Sequence, residues 1–461
     1  MFVENREAVI AALKRGECVG ILPAARGFLD GFAEFLLKAG ILNAFEVFPD
    51  FRQRRSIPIF FFCNALVYRS LFQLDRVAPI EDTLFRSPYI LRQMGFNALQ
   101  IEQGFYETPG GQNPFTSEAI LECFAKSTPE DFLKNQKEVL KRLVDYCPAQ
   151  VREGLWVMDS VHFQVPNGAH NDPFSFKACV LGIWQDTVVW PVLWAFVPES
   201  CHETVVGKEV MAAAEEVLGE GFIRHLLIDR GYLDGHWLTE LHQKGTRVTI
   251  GVKEDMLIME EMHNLTRLPD AEWIEVEPPK LHDEPRPERA IQGFIDLQHE
   301  WKSCEAPLSG CLIQDTYPDK VVYQGLVTTS PAATATDILQ QNGMRWTLEE
   351  VFMTLTLYWQ FDNLPPCRPG VAHALVHFAL NAFTLLGFYL QETDMADDFD
   401  TLNMAPPPLP MPDRELAVYA GDYFALLRPS ELVSIILNHV DAWQTNRDKL
   451  LLALRMCEGG S

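Results

Sequence analysis

The sequence predicts an α/β fold: a mixed sheet flanked by helices, with a β-rich insertion in the sheet domain and a helical domain before it. Three runs rich in Val, Ile, Phe and Trp lie at residues 154–165, 174–185 and 187–198, with short polar or turn segments between them. Such runs are typical of neighbouring strands. An amphipathic helix, the apolar strand HLLID, a second helix and the strand RVTIGV follow in turn. Strands followed by strand–helix alternation indicate one sheet covered by helices.

The first 150 residues are predicted to form a separate helical domain. Apolar residues recur at intervals of three and four in AVIAALKRG and in GFLDGFAEFLLKAGIL, which is the period of a helix with one buried face. Proline and glycine interrupt this pattern, and the run Thr116-Ser117-Glu118 favours the start of a further helix. A basic stretch between Phe132 and Arg152 is interpreted as a solvated helix face.

Residues 256–333 are predicted to be the β-rich insertion, because Pro-rich turns separate short β-like runs such as WIEVE, GFIDL and KVVYQGLVTT. Helices are predicted again from Ala335 to Leu390. The predicted domains are therefore residues 1–150, the sheet domain 151–390 with its insertion at about 256–333, an acidic and Pro-rich linker at 391–415, and a C-terminal helical segment at 416–461.

One apolar segment, Val371–Leu390, is about long enough to span a bilayer. It contains His373, His377 and Asn381, so we expect a buried core helix and no membrane partner. The two histidines have the four-residue spacing of some metal sites. The residues between them lack the Glu that a metalloprotease needs, and we interpret both histidines as core residues.

The composition is that of a soluble globular protein with more than one domain: 461 residues, 48% apolar and 22% charged. The ten cysteines include no C-x-x-C pair and the N-terminus has no signal-peptide core, so we expect a cytoplasmic protein. The net charge of −25 counts against a nucleic-acid partner. Basic residues clustered on one face could overcome that charge locally.

Three acidic residues stand out by their positions. Asp159 interrupts the apolar strand LWVMDSV, Asp229 ends the strand LLID, and Glu349 lies near the start of an amphipathic helix. A carboxylate in or at the end of a buried strand is costly unless a metal ion or an ion pair compensates it. Taken singly, each acid has an ordinary explanation: a turn cap for Asp159, pairing with Arg230 or His225 for Asp229, and a surface position for Glu349.

Together, the acids follow the order of an RNase H-like core: a strand Asp, further strands and a helix, a second strand Asp, a β-rich insertion and a helix Glu. Adjacent strands can bring the aspartates together, and a helix across the sheet edge can add the glutamate. Carboxylate oxygens suit Mg²⁺ or Mn²⁺, and two such ions roughly 4 Å apart can catalyse phosphoryl transfer. The sequence thus predicts Asp159, Asp229 and Glu349 as catalytic residues and as ligands of two Mg²⁺ (or Mn²⁺) ions.

The motifs MDSVHF, LLIDRGYLDG and GLVTTSP followed by RWTLEEVF resemble those of bacterial insertion-sequence DDE transposases of the hairpin-forming, cut-and-paste branch. The run FDNLPPCRPGVAHALVHFALNAFTLLGFY resembles the helical end of that family's catalytic domain, so the resemblance covers residues 150–390. It implies metal-dependent DNA cleavage and strand transfer at the ends of a mobile element. Double-stranded DNA (terminal inverted repeats and target DNA) is the implied partner, a homodimer is the implied form in the DNA complex, and residues 1–150 are a candidate DNA-binding domain.

The last motif of this family is Tyr, two residues, Arg, three residues, Glu, six residues, Lys. Arg345 and Glu349 match it, whereas Asn342 and Thr356 stand at the Tyr and Lys positions. In the family the Tyr and Lys help to hold the DNA end, so their absence indicates weakened activity or a divergent subgroup. Glu350 ranks second to Glu349 as the third acid.

DNA contacts are predicted for Arg345, Arg230 and Lys177, although a surface ion pair for Arg230 and a strand-edge charge for Lys177 are the plainer interpretations. Trp273 and Trp301 lie in the insertion, where an aromatic of the resembled family can stack on a flipped base. Packing inside the insertion explains both tryptophans more simply. Two other functions remain open: a transposase-derived DNA-binding protein with impaired catalysis, and an RNase H-like nuclease that cleaves without joining.

Overall fold

The computed structural model of the chain describes residues 3–23, 28–52, 57–85, 88–97, 100–101, 113–151, 154–168, 172–185, 188–269, 271–278, 287–297, 301–331, 333–393, 416–427 and 429–443. Its strands are β1 Val3–Glu4, β2 Gly20–Pro23, β3 Leu155–Val165, β4 Phe174–Gln185, β5 Val188–Pro198, β6 His225–Ile228, β7 Arg247–Gly251, β8 Ile274–Val276, β9 Glu288–Phe294, β10 Ser309–Thr316, β11 Val321–Thr328, β12 Leu416–Ala420 and β13 Tyr423–Leu427. Its helices are α1 Arg6–Lys14, α2 Phe28–Lys38, α3 Ile41–Phe45, α4 Ile59–Leu71, α5 Pro79–Thr83, α6 Pro88–Gln93, α7 Ser117–Phe124, α8 Pro129–Tyr146, α9 Glu203–Leu218, α10 Gly235–Gln243, α11 Leu257–Leu265, α12 Ala335–Tyr358, α13 Pro369–Glu392, α14 Pro429–Leu437 and α15 Val440–Trp443.

A nine-stranded mixed sheet forms the centre of the larger part of the fold, in the order β5-β4-β3-β6-β7-β11-β10-β9-β8. The strands β3, β4 and β5 are antiparallel neighbours, whereas β6 runs parallel to β3 and β7 runs parallel to β6. The predicted α/β fold class, a mixed sheet flanked by helices, is confirmed. The apolar runs gave β3–β7 to within a few residues because these strands are buried along most of their length.

The predicted insertion is β-rich, but it begins with helix α11 and its strands extend the central sheet. Strand β11 pairs antiparallel with β7 through Leu326–Thr328, and β10, β9 and β8 follow outward. A small apolar cluster explains this arrangement, because Ile291, Cys311 and Ile313 pack with Ile338 of α12. The insertion strands therefore support one face of the helix that carries Glu349.

Helix α13 is the buried core helix that the sequence predicts. Among the described helices it alone is long and apolar enough to cross a membrane, and its apolar window is completely buried. Trp194 Nε1 donates to His377 Nδ1 at 3.0 Å, and His377 Nε2 lies 2.9 Å from Asn135 Oδ1. His377 is therefore a hydrogen-bonded core residue, as predicted. His373 packs between the rings of Phe176 and Phe196.

The compact units divide the chain differently from the predicted domains. One unit contains residues 1–38, 79–115 and 405–461, and the other contains residues 39–78 and 116–404. Neither unit corresponds to the separate domain predicted at residues 1–150. Helix α4 is apolar on almost all sides and packs on α13. The rings of Phe48, Phe124 of α7 and Phe132 of α8 form an aromatic cluster that also contacts α13. Burial of these side chains places α3, α4, α7 and α8 with the sheet domain.

The smaller unit contains a four-stranded sheet in the order β1-β13-β12-β2. The C-terminal segment predicted as helical therefore begins with the hairpin β12–β13, which turns at Gly421 with φ of 58°. Alternating burial of Leu416 and Val418 against Leu13, Leu432 and Trp443 stabilises the strands. Helices α14 and α15 follow as expected. The linker predicted at 391–415 starts within α13, which ends at Glu392, and residues 394–415 and 444–461 lie outside the described residues.

Candidate active site

Asp159 lies in β3 immediately beyond the last residue pair that joins β3 to β6. The parallel register runs from Leu155↔His225 to Met158↔Ile228, so the next residues along the two strands are Asp159 and Asp229. Because β3 and β6 are parallel, the two aspartates lie at the same level of the sheet, where β6 ends and β3 continues beside β4. The sequence places two carboxylates side by side here simply by ending β6 after Ile228.

Asp229 begins a tight turn that aims its side chain. Its carboxylate accepts a hydrogen bond from the backbone N–H of Gly231 at 3.2 Å, and residues Arg230–Tyr232 form a single 3-10 turn. Gly231 is required because a Cβ there would lie 1.6 Å from a carboxylate oxygen of Glu203. A larger residue at position 231 would therefore displace either the turn or Glu203.

Glu349 completes the cluster from α12, and Arg345 lies at its centre. Arg345 Nη1 is 2.7 Å from Asp159 Oδ2, 2.9 Å from Glu349 Oε1 and 3.6 Å from Asp229 Oδ1. Carboxylates from β3, from the turn after β6 and from α12 thus meet around one cation. The structure brings together all three acids that the sequence predicted.

The cluster carries more negative than positive charge. Three carboxylates surround one guanidinium, and the Asp159 side chain is 13% exposed. Burial raises the pKa of Asp159 to about 7; the Arg345 guanidinium acts in the opposite direction, and the charges of Asp229 and Glu349 raise it further. The three carboxylates therefore lie close together with only part of their charge compensated.

The donor chemistry of the site fits Mg²⁺ or Mn²⁺, because its ligand atoms are all carboxylate oxygens. Within the part of the chain that the structure describes, no group of three His, Cys, Asp or Glu side chains is arranged around an empty metal position. The reason is that the guanidinium of Arg345 stands between Asp159, Asp229 and Glu349.

Helix α12 is fixed to the sheet by a polar contact that the sequence did not reveal. Gln341, one turn before Arg345, has its Oε1 2.8 Å from Thr249 Oγ1 on β7, and His225 Nε2 lies 2.9 Å from the same hydroxyl. Nothing in the sequence distinguishes Gln341, Thr249 and His225 from other polar residues. Their role follows from the hydrogen bonds that join β6, β7 and α12 in the folded chain. These hydrogen bonds fix the position of α12, and with it Glu349, relative to the sheet.

The competing acid and the two departures from the family motif lie away from the centre of the cluster. Glu350 and Thr356 are exposed, and Asn342 is half-buried. The ion pairs of Arg345 join it to Asp159, Asp229 and Glu349, and not to Glu350, Thr356 or Asn342. The preference for Glu349 over Glu350 agrees with this geometry.

The predicted DNA contacts differ in their surroundings. Arg230 is exposed directly beside Asp229 and forms no ion pair with any residue that the structure describes. Lys177, by contrast, is 4% exposed, and its ammonium lies 3.8 Å from Glu203. The strand-edge charge proposed for Lys177 is wrong, because β4 is an inner strand between β3 and β5 and is covered by α9, whereas the DNA contact of Lys177 stays a prediction.

The two insertion tryptophans are both half-buried. Trp301 lines an open cavity of about 450 Å³ together with side chains from the N-terminal ends of α9 and α10, among them His202, Lys208 and Asp234. Lys208 and Asp234 pair across it at 2.7 Å. The simpler prediction was that Trp301 packs inside the insertion. Trp301 instead also contributes to the wall of this cavity.

No protein-family model matches the sequence, and no curated protein matches it. Among solved structures, the chain is similar to the piggyBac transposase in its synaptic complex with hairpin DNA. The TM-score is 0.42 and the sequence identity is 11%, with 84% of this chain and 82% of the piggyBac chain covered.

Proposed function

We propose that the chain is a DDE-type DNA transposase that cleaves DNA at the ends of a mobile element and joins the cut strand to a target. One observation carries the proposal: Asp159, Asp229 and Glu349, which are far apart in sequence, converge within 3.6 Å of a single cationic atom. Such convergence of carboxylates from two adjacent strands and a helix is costly unless cations compensate it. The proposed family is that of the insertion-sequence enzymes that the motifs resemble.

In this proposal the three carboxylates would hold two Mg²⁺ or Mn²⁺ ions, which would supply Lewis-acid chemistry for an in-line displacement at phosphorus. Asp159 is the buried anchor of the set, with a side chain 13% exposed, whereas Asp229 and Glu349 are 37% and 38% exposed. The more exposed pair faces the side from which a phosphodiester can approach.

Arg345 has two roles in this account. It neutralises part of the cluster, and bound divalent ions would displace it, because cations repel a guanidinium at the same centre. Its guanidinium already lies 5.0 Å from the ring of Trp346, which offers a neighbouring cation–π position. The released guanidinium can then bind a phosphate, which it recognises through paired N–H groups.

The partners follow from the same chemistry. Arg230, exposed beside Asp229, supplies a local positive charge on a chain whose net charge is −25, and local charge steers a phosphate more than the total does. We propose terminal inverted repeats and a target duplex as substrates, two copies of the chain in the DNA complex, and action in the cytoplasm.

A strand-transfer assay tests the function directly. The full chain is incubated with Mn²⁺ and a labelled duplex bearing a terminal repeat from beside its gene, and products are separated by size. Joined product is expected from the wild-type chain and from the exposed-acid control Glu350→Gln, while Asp159→Asn, Asp229→Asn and Glu349→Gln each lower it at least 1000-fold. Full joining by any of these three variants contradicts the proposal.

The same assay separates two other functions. Asn342 and Thr356 replace residues that hold DNA in the resembled family, which favours an impaired DNA-binding protein as the second candidate. Binding without cleavage identifies that protein, and cleavage without joining identifies a nuclease.

A further inference from the structure

We infer that Tyr232 is a positioning residue, which sets the spacing of Asp159 and Asp229 from the opposite face of the sheet. This inference rests on the proposed function, since it concerns the ability of those two carboxylates to hold divalent ions. Tyr232 is not a catalytic residue, because its hydroxyl touches neither carboxylate.

The backbone pairing of the two strands ends just before the two acids. The last pair in the β3–β6 register is Met158↔Ile228, so Asp159 and Asp229 lie one residue beyond the paired part of the two strands. Both carboxylates lie within 3.6 Å of the same Arg345 nitrogen, and without that cation their like charges repel each other. Something beyond the ladder therefore has to hold the segments together when Arg345 leaves.

The Tyr232 hydroxyl supplies that link. It lies 2.5 Å from Ser160 Oγ and 3.1 Å from Cys179 Sγ. Ser160 follows Asp159 directly, and Tyr232 ends the 3-10 turn that starts from Asp229. One hydroxyl thus joins the two acid-bearing segments. Because successive side chains of a strand point to opposite faces, the link lies on the face away from Asp159.

The ring of Tyr232 is held in one place. It is fully buried, and helix α9 approaches it so closely at Gly207 that a Cβ there would lie 2.8 Å from a ring carbon. The Glu203 carboxylate, itself near Lys177, fills the space beside Gly231 in the same turn. Because the ring is fixed, its hydroxyl can hold Ser160 at a defined distance from the turn that carries Asp229.

Mn²⁺ affinity measured by electron paramagnetic resonance on the full chain without DNA tests this role. The variants are Tyr232→Phe, Ser160→Ala and the double variant, each studied at a temperature well below its unfolding midpoint. Tyr323→Phe is the matched control, because it removes a hydroxyl that is hydrogen-bonded to Gln314 within the insertion.

We expect Tyr232→Phe and Ser160→Ala each to weaken Mn²⁺ binding about tenfold. The double variant should be no weaker than either single one, because both remove the same bond, and Tyr323→Phe should stay within twofold of the wild type. Ser160 is only partly buried, so its variant tests the inference even if Tyr232→Phe does not fold.

Two results overturn the inference, and they are distinguishable from failure of the proposed function. If the wild type binds Mn²⁺ and the variants bind within twofold of it, or if the two effects multiply, the positioning role is refuted and the proposed function stands. If the wild type does not bind Mn²⁺ at all, the proposed function fails and the inference fails with it.

Discussion

At the scale of single residues, the sequence predicted the three acids of the candidate site but not the residues that contact the segments carrying them. Asp159 and Asp229 could be predicted because a carboxylate in an apolar strand needs a compensating partner. Tyr232 and Gln341 could not, because their importance depends on contacts with Ser160 and Thr249 that only the folded chain creates. Lys177 was placed wrongly because a strand pattern does not tell an edge strand from an inner one.

Replacing Arg345 should make the chain more dependent on divalent ions. Arg345→Gln leaves three carboxylates unpaired and should lower the free energy of unfolding of the metal-free chain by about 3 kcal/mol. Mn²⁺ should then raise the melting temperature of the variant more than that of the wild type, because no guanidinium has to be displaced. Differential scanning calorimetry with and without Mn²⁺ measures both effects.

Arg289→Gln is the matched control for this prediction. Arg289 forms a half-buried ion pair with Asp315 at 2.6 Å in the insertion strands. Its loss should cost stability without changing the effect of Mn²⁺. Equal Mn²⁺ shifts in the two variants would contradict the assignment of Arg345 to the metal position.

At the scale of secondary-structure elements, burial decided what the sequence could predict. Strands β3–β7 are largely buried and were recognisable as apolar runs. The hairpin β12–β13 consists of two five-residue strands and was missed, because runs so short have no distinctive period. Helix α13 was predicted correctly as a buried helix, since it has too few polar residues to form the exposed face of a surface helix.

Helix α13 also gives a pH prediction. Burial among Phe132, Phe176 and Phe196 lowers the pKa of His373 to about 4. The unfolded chain takes up this proton near the ordinary value of 6.5, so the folded state loses stability as the pH falls from 6.5 towards 4. At pH 5 this loss amounts to about 2 kcal/mol.

His373→Phe removes this titration and should retain the packing. Urea unfolding at pH 7.5 and at pH 5.0 should show that the variant loses about 2 kcal/mol less than the wild type between the two conditions. An identical pH dependence in both chains would mean that His373 is already protonated in the folded state.

At the scale of the whole molecule, long-range pairing set the limit of prediction. The order of strands and acids along the chain gave the mixed sheet and the candidate site, but not the pairing of β1 with β13 or of β11 with β7. Those pairs join segments that are distant in sequence, and local patterns do not encode such partners. The acidic balance of −25 is likewise a property of the total that says little about the surroundings of Asp229.

The central claim is that the three carboxylates hold divalent cations in place of Arg345, and anomalous diffraction from crystals of the full chain grown with Mn²⁺ tests it most directly. The account predicts manganese peaks among the oxygens of Asp159, Asp229 and Glu349, with the Arg345 guanidinium turned out of the cluster. Crystals that contain saturating Mn²⁺, show no manganese peak there and keep Arg345 paired with all three acids would contradict it.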